Sequence, residues 1–272
     1  SRRMQLQTAI DNSKSIESRR RFGQFATPYE LAQEIMSFGL ALQDKKEISF
    51  LEPAFGTGAF YSALLSECDK HAKIINTAIG VEVDKDFYDA ANELWNHTNV
   101  KLVNGDFTEI ESFENVNLLV SNPPYVRHHY INKEQKSKLS AMTQKETGLS
   151  LSGLAGLYCY FILSAHKWLA PDAICGWLIP SEFMDVNYGG KLKEYLLNKV
   201  HLLRVHRYNP ENCKFDDALV SSCVVWFKNE AMENNYNVEF SYGGTLERPE
   251  VCRNVDRNTL EKSRKWTHFP TN

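Results

Sequence analysis

Long hydrophobic runs, a basic excess and paired cysteines are all missing from this sequence of 272 residues. No apolar run reaches the roughly 18 residues that a membrane-spanning helix needs, which predicts no association with a membrane. The start of the chain is polar and basic, without the apolar core of a secretory signal. The formal net charge of −3 lacks the basic excess that typifies an isolated nucleic-acid-binding domain.

The six cysteines include no C-x-x-C pair, so we expect no metal site. Several of them lie inside apolar runs, where a free cysteine behaves as a small hydrophobic side chain. Free cysteines are typical of a reducing compartment, and the sequence therefore predicts a cytoplasmic protein. With 43% hydrophobic and 24% charged residues, the composition is that of an ordinary globular protein.

Apolar segments of strand length alternate with segments of helical spacing along most of the chain. This alternation predicts an α/β fold with a doubly wound, mostly parallel sheet, because such a sheet needs helices on both faces. A polar insertion at 131–150 interrupts the pattern. Ligands of these sheets bind at the carboxyl ends of the strands, near the point where the strand order reverses. The predicted strands are 47–54, 75–84, 100–106, 116–125, 173–180, 201–208 and 221–229, and the predicted helices are 28–43, 58–71, 85–97, 156–169 and 189–199.

The stretch "FLEPAFGTGAF" has the form of a strand, a tight turn and a helix. Gly56 and Gly58 permit a close backbone turn that a Cβ atom would block. The stretch is neither the G-x-G-x-x-G dinucleotide fingerprint nor a phosphate-binding loop, since no G-K-[ST] follows. Its acid, Glu52, would repel a phosphate and attract a cation such as S-adenosylmethionine (AdoMet), which carries a sulfonium and an ammonium. A plain strand–helix turn is the alternative for this loop taken alone.

Two further acids end the next two predicted strands. Glu82 in "GVEVD" stands where dinucleotide-binding folds hold a ribose diol, while Asp84 fits the N-cap of the following helix. Asp106 in "NGDF" can accept a hydrogen bond from an adenine amino group, with Phe107 beside the ring; a cap or a turn is the alternative. Three acids at three successive strand ends together favour a nucleoside pocket.

The fourth strand ends in "SNPPY", residues 121–125. Two consecutive prolines stop the strand, so Asn122 and Tyr125 lie on a stiff corner. Asn-Pro alone is also a common start of a turn, so the motif gains meaning from its neighbours.

In this order, "GQFATP", "LEPAFGTGAF", "GVEVD", "NGDF" and "SNPPY" resemble the gamma-class DNA amino-methyltransferases of type II and type IIG restriction-modification systems, which methylate adenine N6. The resemblance covers about residues 20–228. It implies a class I AdoMet-dependent methyltransferase fold, which is Rossmann-like, and double-stranded DNA as the substrate. The alternatives are a protein-glutamine or rRNA guanine-N2 methyltransferase, which also use NPPY, and a non-catalytic subunit that binds AdoMet or DNA. The Glu-Pro glycine loop and "GQFATP" argue against the first.

The resemblance also implies which residues hold AdoMet. In this family the Glu-Pro-Ala segment and the upstream element meet the methionine end, the acid of the second strand holds the ribose, and the acid of the third strand meets the adenine. The implied cofactor-binding residues are Thr27, Glu52, Ala54, Gly56, Gly58, Glu82, Val83, Asp106, Phe107 and Pro124.

Four residues are implied in catalysis. The side-chain oxygen of Asn122 and the carbonyl of Pro123 would accept the two N6–H bonds and stabilise the positive charge that develops on nitrogen. The target base must be flipped out of the duplex, and Tyr125 would stack on one of its faces. Phe215 would supply a second aromatic face, with a place in the hydrophobic core as the alternative.

The domain prediction divides the chain after residue 228. Residues 1–228 form the catalytic domain, which begins with an N-terminal arm and helix at 1–44. Residues 229–272 are too few for an independent recognition domain and are expected to be a polar connector. DNA recognition is therefore expected from a target-recognition domain or a partner subunit that is not in this chain.

Overall fold

A computed structural model of the chain describes residues 2–15, 23, 25–210, 221–232 and 235–270. Within these ranges, nine strands form one sheet with helices on its faces. The strands are β1 (Glu47–Glu52), β2 (Ile74–Glu82), β3 (Val100–Asn104), β4 (Val116–Ser121), β5 (Leu169–Pro180), β6 (His201–Arg207), β7 (Ser222–Lys228), β8 (Asn237–Tyr242) and β9 (Val251–Asp256). The helices are α1 (Arg2–Ser13), α2 (Tyr29–Leu42), α3 (Ala59–Glu67), α4 (Lys85–Trp95), α5 (Lys133–Thr147), α6 (Leu157–Ser164), α7 (Gly190–Asn198) and α8 (Arg257–Lys262).

The strand order is β3-β2-β1-β4-β5-β7-β6-β8-β9. Strands β1 to β5 pair in parallel, and β7 enters antiparallel between β5 and β6. The predicted α/β fold with a mostly parallel sheet is confirmed. The chain runs outward from β1 through β2 to β3 and then returns to place β4 on the other side of β1. This reversal brings the carboxyl ends of β1 and β4 side by side, which is where a ligand site is expected.

The centre of the sheet is buried on both faces. Every residue of β4 is buried, which is the pattern of a parallel strand covered by helices on either side. The ring of Trp226 lies against two glycines: a Cβ added to Gly176 would come within 2.5 Å of it, and one added to Gly39 within 2.9 Å. Glycine at these two positions lets the large ring of β7 fill the space between β5 and α2.

The polar insertion at 131–150 forms a helix. Helix α5 begins at a capping box, in which the side chain of Asn132 accepts from the backbone of Gln135 and the side chain of Gln135 reaches back. It ends at Gly148, which adopts a left-handed φ of 74°. Only three residues of α5 are buried, so its end signals rather than an apolar stripe mark it in the sequence.

Residues 229–272 were expected to be a polar connector, and their described part is built into the sheet. Strand β8 pairs in parallel with β6, and β9 pairs with β8. Leu246 and Trp266 are fully buried, and the indole of Trp266 donates to the carbonyl of Leu260 at 3.1 Å. Short strands with few apolar residues are hard to predict from local sequence. Here the pairing of β8 with β6 stabilises the extended conformation that the local sequence favours only weakly.

Candidate active site

A cavity of about 390 Å³ lies at the carboxyl ends of β1, β2 and β4. Its size falls within the range of roughly 300–1,000 Å³ that small-molecule sites occupy. Most of the residues predicted to bind a cofactor border it, together with the predicted catalytic Asn122. These bordering residues are Thr27, Glu52, Ala54, Gly56, Glu82, Val83, Asp106, Phe107, Asn122 and Pro124.

Three predicted site residues are placed differently. Gly58, Pro123 and Tyr125 are absent from the described lining of the cavity. Phe215 lies outside the described residues, so its stacking role stays a prediction.

The two glycines of the loop after β1 have different surroundings. Gly56 has a φ of +53°, and a Cβ there would meet no described atom within 4 Å, at the border of the cavity. Gly58 has a φ of +81°, and a Cβ there would come within 2.7 Å of the Trp95 indole and 2.8 Å of the Phe55 ring. Gly56 therefore leaves space for a ligand at the border of the cavity, while Gly58 allows the loop to pack closely against Trp95 and Phe55.

Glu52 is a buried acid, only 1% exposed, where the loop meets α3. Its carboxylate accepts from the backbone N–H of Tyr61 at 3.0 Å and of Phe60 at 3.4 Å, in the first turn of α3. Burial raises the pKa of Glu52 well above its usual value, while these hydrogen bonds and the positive charge of Arg3 act in the opposite direction. A cationic ligand in the cavity would complete the stabilisation of the ionised form.

Glu82 ties the glycine loop to the start of α4. One carboxylate oxygen accepts from the backbone N–H of Gly56 at 2.7 Å, and the other accepts from that of Asp84 at 2.8 Å. Burial raises the pKa of Glu82, and the two backbone bonds oppose this. Each carboxylate oxygen can accept a further bond, so the side chain is oriented by the protein and still suited to a diol. Asp84 is the N-cap of α4, as predicted.

Asp106 is a helix cap that also borders the cavity. One of its carboxylate oxygens accepts from the backbone and the hydroxyl of Thr108, at 2.9 and 2.7 Å, and so caps a short 3₁₀ helix. The side chain is exposed and also borders the cavity. The ring of Phe107 is buried and stacks on Trp168 with 5.8 Å between ring centroids, so much of that ring belongs to the core.

The amide of Asn122 has a defined orientation. Its nitrogen donates to the carbonyl of Phe25 at 3.3 Å and to the hydroxyl of Thr27 at 3.2 Å. Because a backbone carbonyl can only accept, the nitrogen must face Phe25 and the side-chain oxygen is the group left to accept from a ligand.

Both the side chain and the backbone of Tyr125 make contacts that hold it in place. Its hydroxyl donates to the carbonyl of Leu178 at 3.0 Å, and its ring centroid lies 5.8 Å from that of Phe25. Its backbone N–H donates to the carbonyl of Gly23 at 3.3 Å. A Cβ on Gly23 would come within 2.3 Å of that nitrogen, so only glycine permits the approach. The segment GQFATP was predicted to be a cofactor element, and its described residues Gly23 and Phe25 contact Tyr125 of the Asn-Pro-Pro-Tyr corner.

Helix α1 contributes residues to the cavity that the sequence analysis did not identify. Arg3, Gln7 and Asp11 lie four residues apart on one face of α1, and all three border the cavity. These side chains are polar, so a search for apolar periodicity cannot find them. The spacing of four within a helix is the signal that points to a shared face.

The described ranges contain no helix long and apolar enough to span a membrane, and no cluster of three or more His, Cys, Asp or Glu side chains that could hold a metal ion.

The sheet order and the position of the cavity define the fold of the class I AdoMet-dependent methyltransferases. A Listeria monocytogenes protein described as a member of that class aligns with a TM-score of 0.69 and 14% identity, over 97% of this chain and 80% of that one. The type IIL restriction-modification enzyme MmeI, solved in complex with DNA, aligns with a TM-score of 0.62 and 12% identity, over 92% of this chain and 42% of that one.

Residues 28–213 match the model of the Eco57I restriction-modification methylase family, and the chain belongs to that family. The type II methyltransferase M.AccI of Acinetobacter calcoaceticus is 33% identical over 226 residues. That alignment covers 81% of this chain and 39% of M.AccI, so the chain spans well under half of this relative. AdoMet is the cofactor of this fold and family, and a cavity rich in carboxylates suits its sulfonium and ammonium groups.

Proposed function

We propose that this chain is the catalytic domain of a type II DNA methyltransferase that transfers the methyl group of AdoMet to adenine N6. The observation that carries the proposal is the anchored amide of Asn122 beside the cofactor cavity. Membership of the Eco57I restriction-modification methylase family supports DNA as the substrate.

The chemical problem is the weak nucleophilicity of an adenine amino group, whose lone pair is delocalised into the ring. The side-chain oxygen of Asn122 and the carbonyl of Pro123 accept one N6–H bond each. These two bonds favour a tetrahedral nitrogen and stabilise the positive charge that develops on it. Because both acceptors are fixed before the base arrives, little reorganisation is needed during transfer. The N6 proton becomes acidic once the new N–C bond forms, so it leaves to water without a strong base.

AdoMet supplies the activated methyl group, and the residues that border the cavity fit its parts. Glu52 faces the ammonium, Glu82 the ribose diol, and Asp106 the amino edge of the adenine. Val83, which is exposed at the border, packs against the adenine ring.

The base has to leave the duplex to reach this corner, because N6 is hydrogen-bonded within a base pair. Tyr125 stacks on the flipped base, which requires its ring to remain accessible beside Phe25. Tyr125 is half-buried, in agreement with this role.

The test is the chemical identity of the product. Duplex DNA of mixed sequence, ribosomal RNA and a mixture of cellular proteins are each incubated with the protein and AdoMet, digested and analysed by mass spectrometry. We expect N6-methyladenine in the DNA. Methylation found only on cytosine, on rRNA guanine or on protein glutamine would refute the proposed acceptor.

A non-catalytic subunit is the main alternative, and it makes a different prediction. Such a subunit has no need to fix an acceptor beside the cofactor, so it would bind AdoMet and give no methylated base on any DNA.

A further inference from the structure

Helix α1 is fastened over one side of the cofactor cavity. Arg2 forms an ion pair with Glu93 of α4, and Lys14 at the other end pairs with Asp84. The ammonium of Lys14 also lies over the ring of Phe87, 4.8 Å from its centroid. Both ends of α1 are thus attached to the region of α4, and the face between them borders the cavity.

Arg3 is a charged side chain buried on that face, with only 6% of its surface exposed. Its Nη1 donates to the hydroxyl of Thr57 at 3.2 Å, and that hydroxyl donates to Gln7 at 2.8 Å. Among the described residues its Nε has no hydrogen-bond partner. A buried guanidinium N–H without an acceptor is costly, so the position is suited to a ligand that brings one.

The charges around the cavity are unbalanced. Of the bordering residues that the structure describes, Arg3 is the single cation. Five carboxyl side chains border the same cavity: Asp11, Glu52, Glu82, Asp84 and Asp106. AdoMet has the complementary pattern, with two positive groups and one carboxylate at its methionine end. The acids can balance the sulfonium and the ammonium of AdoMet. Arg3 is the one described cation at the cavity that can balance its carboxylate.

Arg3 lies close enough to Glu52 for its positive charge to oppose the larger effect of burial, which raises the pKa of that carboxyl. An amino acid carries an ammonium and a carboxylate on one carbon. Opposite charges that border the same cavity can receive both groups, the ammonium on Glu52 and the carboxylate on Arg3.

We propose that Arg3 binds the carboxylate of AdoMet, which makes α1 a cofactor-binding element in addition to the strand ends. The planar guanidinium of arginine is well suited to a carboxylate, since it offers parallel N–H donors. The inference rests on AdoMet as the cofactor and is independent of which base receives the methyl group.

The test compares two ligands by calorimetry: AdoMet, and decarboxylated AdoMet, which keeps the sulfonium and the ammonium. We expect Arg3→Met to weaken AdoMet binding about 10- to 100-fold, the effect of losing a charge-assisted hydrogen bond. Binding of decarboxylated AdoMet should change less than about 2-fold, which also shows that the variant is folded. Gln5→Met is the matched control: it makes the same substitution at an exposed position of α1 away from the cavity and should leave both affinities unchanged.

Two results would overturn the proposal. Equal losses for both ligands would mean that Arg3 acts by holding α1 or Glu52 in place, and an unchanged AdoMet affinity would mean that it has no role in binding. Arg3→Lys keeps the charge with a smaller structural change, and we expect it to lose affinity for AdoMet alone. Because the readout is cofactor affinity, a failure to find N6-methyladenine in DNA would not affect this outcome.

Discussion

The acids at the ends of β1 to β3 and the Asn-Pro-Pro-Tyr corner after β4 adjoin the same cavity with different chemistry. Glu52 and Glu82 are carboxylates that backbone N–H groups hold in place. Asn122 offers a neutral oxygen, oriented by hydrogen bonds that use its nitrogen. The difference suits the two ligands of the proposed reaction: a cofactor with fixed positive charges would be met by charges, and a neutral base that becomes positive only during transfer would be met by dipoles. Substitutions on the two sides should therefore separate binding from chemistry.

The largest expected effect lies on the neutral side. Asn122→Ala should reduce the rate of methyl transfer about 100- to 1,000-fold, the usual cost of removing one preorganised group that stabilises transition-state charge. AdoMet affinity should stay within about 3-fold of the unaltered protein. Single-turnover kinetics and calorimetry measure the two quantities. Thr27→Val is the control: it removes the hydroxyl that anchors Asn122 and keeps the acceptor oxygen, so it should cost far less. Equal losses of rate and affinity for Asn122→Ala would place this residue on the cofactor side.

The next effect lies on the charged side. Glu82→Ala should weaken AdoMet binding about 10- to 100-fold, because it removes a charged acceptor from the diol and frees the backbone of Gly56. The rate at saturating AdoMet should change little. Asp89→Ala removes an exposed carboxylate from α4 outside the cavity and should leave affinity unchanged. A Glu82→Ala variant with a normal dissociation constant would contradict the assignment of this residue to the ribose.

The two loop glycines sharpen the comparison within a single turn. Gly58→Ala should lower the free energy of unfolding by about 2 kcal/mol, since it adds a Cβ against Trp95 and Phe55 and strains a left-handed residue. Gly56→Ala incurs only the strain, and its methyl group faces the open cavity, so its main effect should be on AdoMet affinity. Thermal unfolding without ligand and calorimetry with AdoMet distinguish the two. Equal destabilisation by both substitutions would show that the two glycines have the same role in packing the loop.

The smallest expected effect is a dependence of binding on pH. Burial raises the pKa of both Glu52 and Glu82, so each holds its proton to a higher pH than a free carboxyl group. A cationic ligand favours the ionised form, and binding must then release protons. AdoMet affinity should fall several-fold as the pH is lowered from neutrality toward 5, while the neutral side contributes nothing to this change. Calorimetry in buffers of different ionisation enthalpy measures the release, and Glu52→Gln should reduce it. Proton uptake on binding would reverse the inferred sign.

The alternation of strands and helices, the turn after β1, the cap at Asp84 and the corner after β4 could all be predicted from the sequence. Each depends on residues close together in the chain: glycine permits a left-handed φ, proline stops a strand, and an acid caps the helix that follows it. Helix α5 was within reach of the same reasoning, since Asn132, Gln135 and Gly148 mark its ends.

Other features depend on partners far away in the chain. Whether β8 and β9 extend the sheet is decided by the free edge of β6, which no short segment of sequence reveals. The place of Arg3 beside the cavity depends on Thr57, 54 residues later. The burial that raises the pKa of Glu52 comes from the assembled core.

The sequence by itself therefore determined the order of the chemical groups: three acids and an Asn-Pro-Pro-Tyr corner, each at the end of a strand. Only the tertiary structure decided how those groups point. The amide of Asn122 is oriented by Phe25, which is 97 residues earlier in the chain. The polar helix α1 borders the cavity, and no local sequence pattern predicts this position. The physical reason is that backbone conformation is limited by neighbouring residues, whereas a hydrogen bond or a charge pair needs only closeness in space.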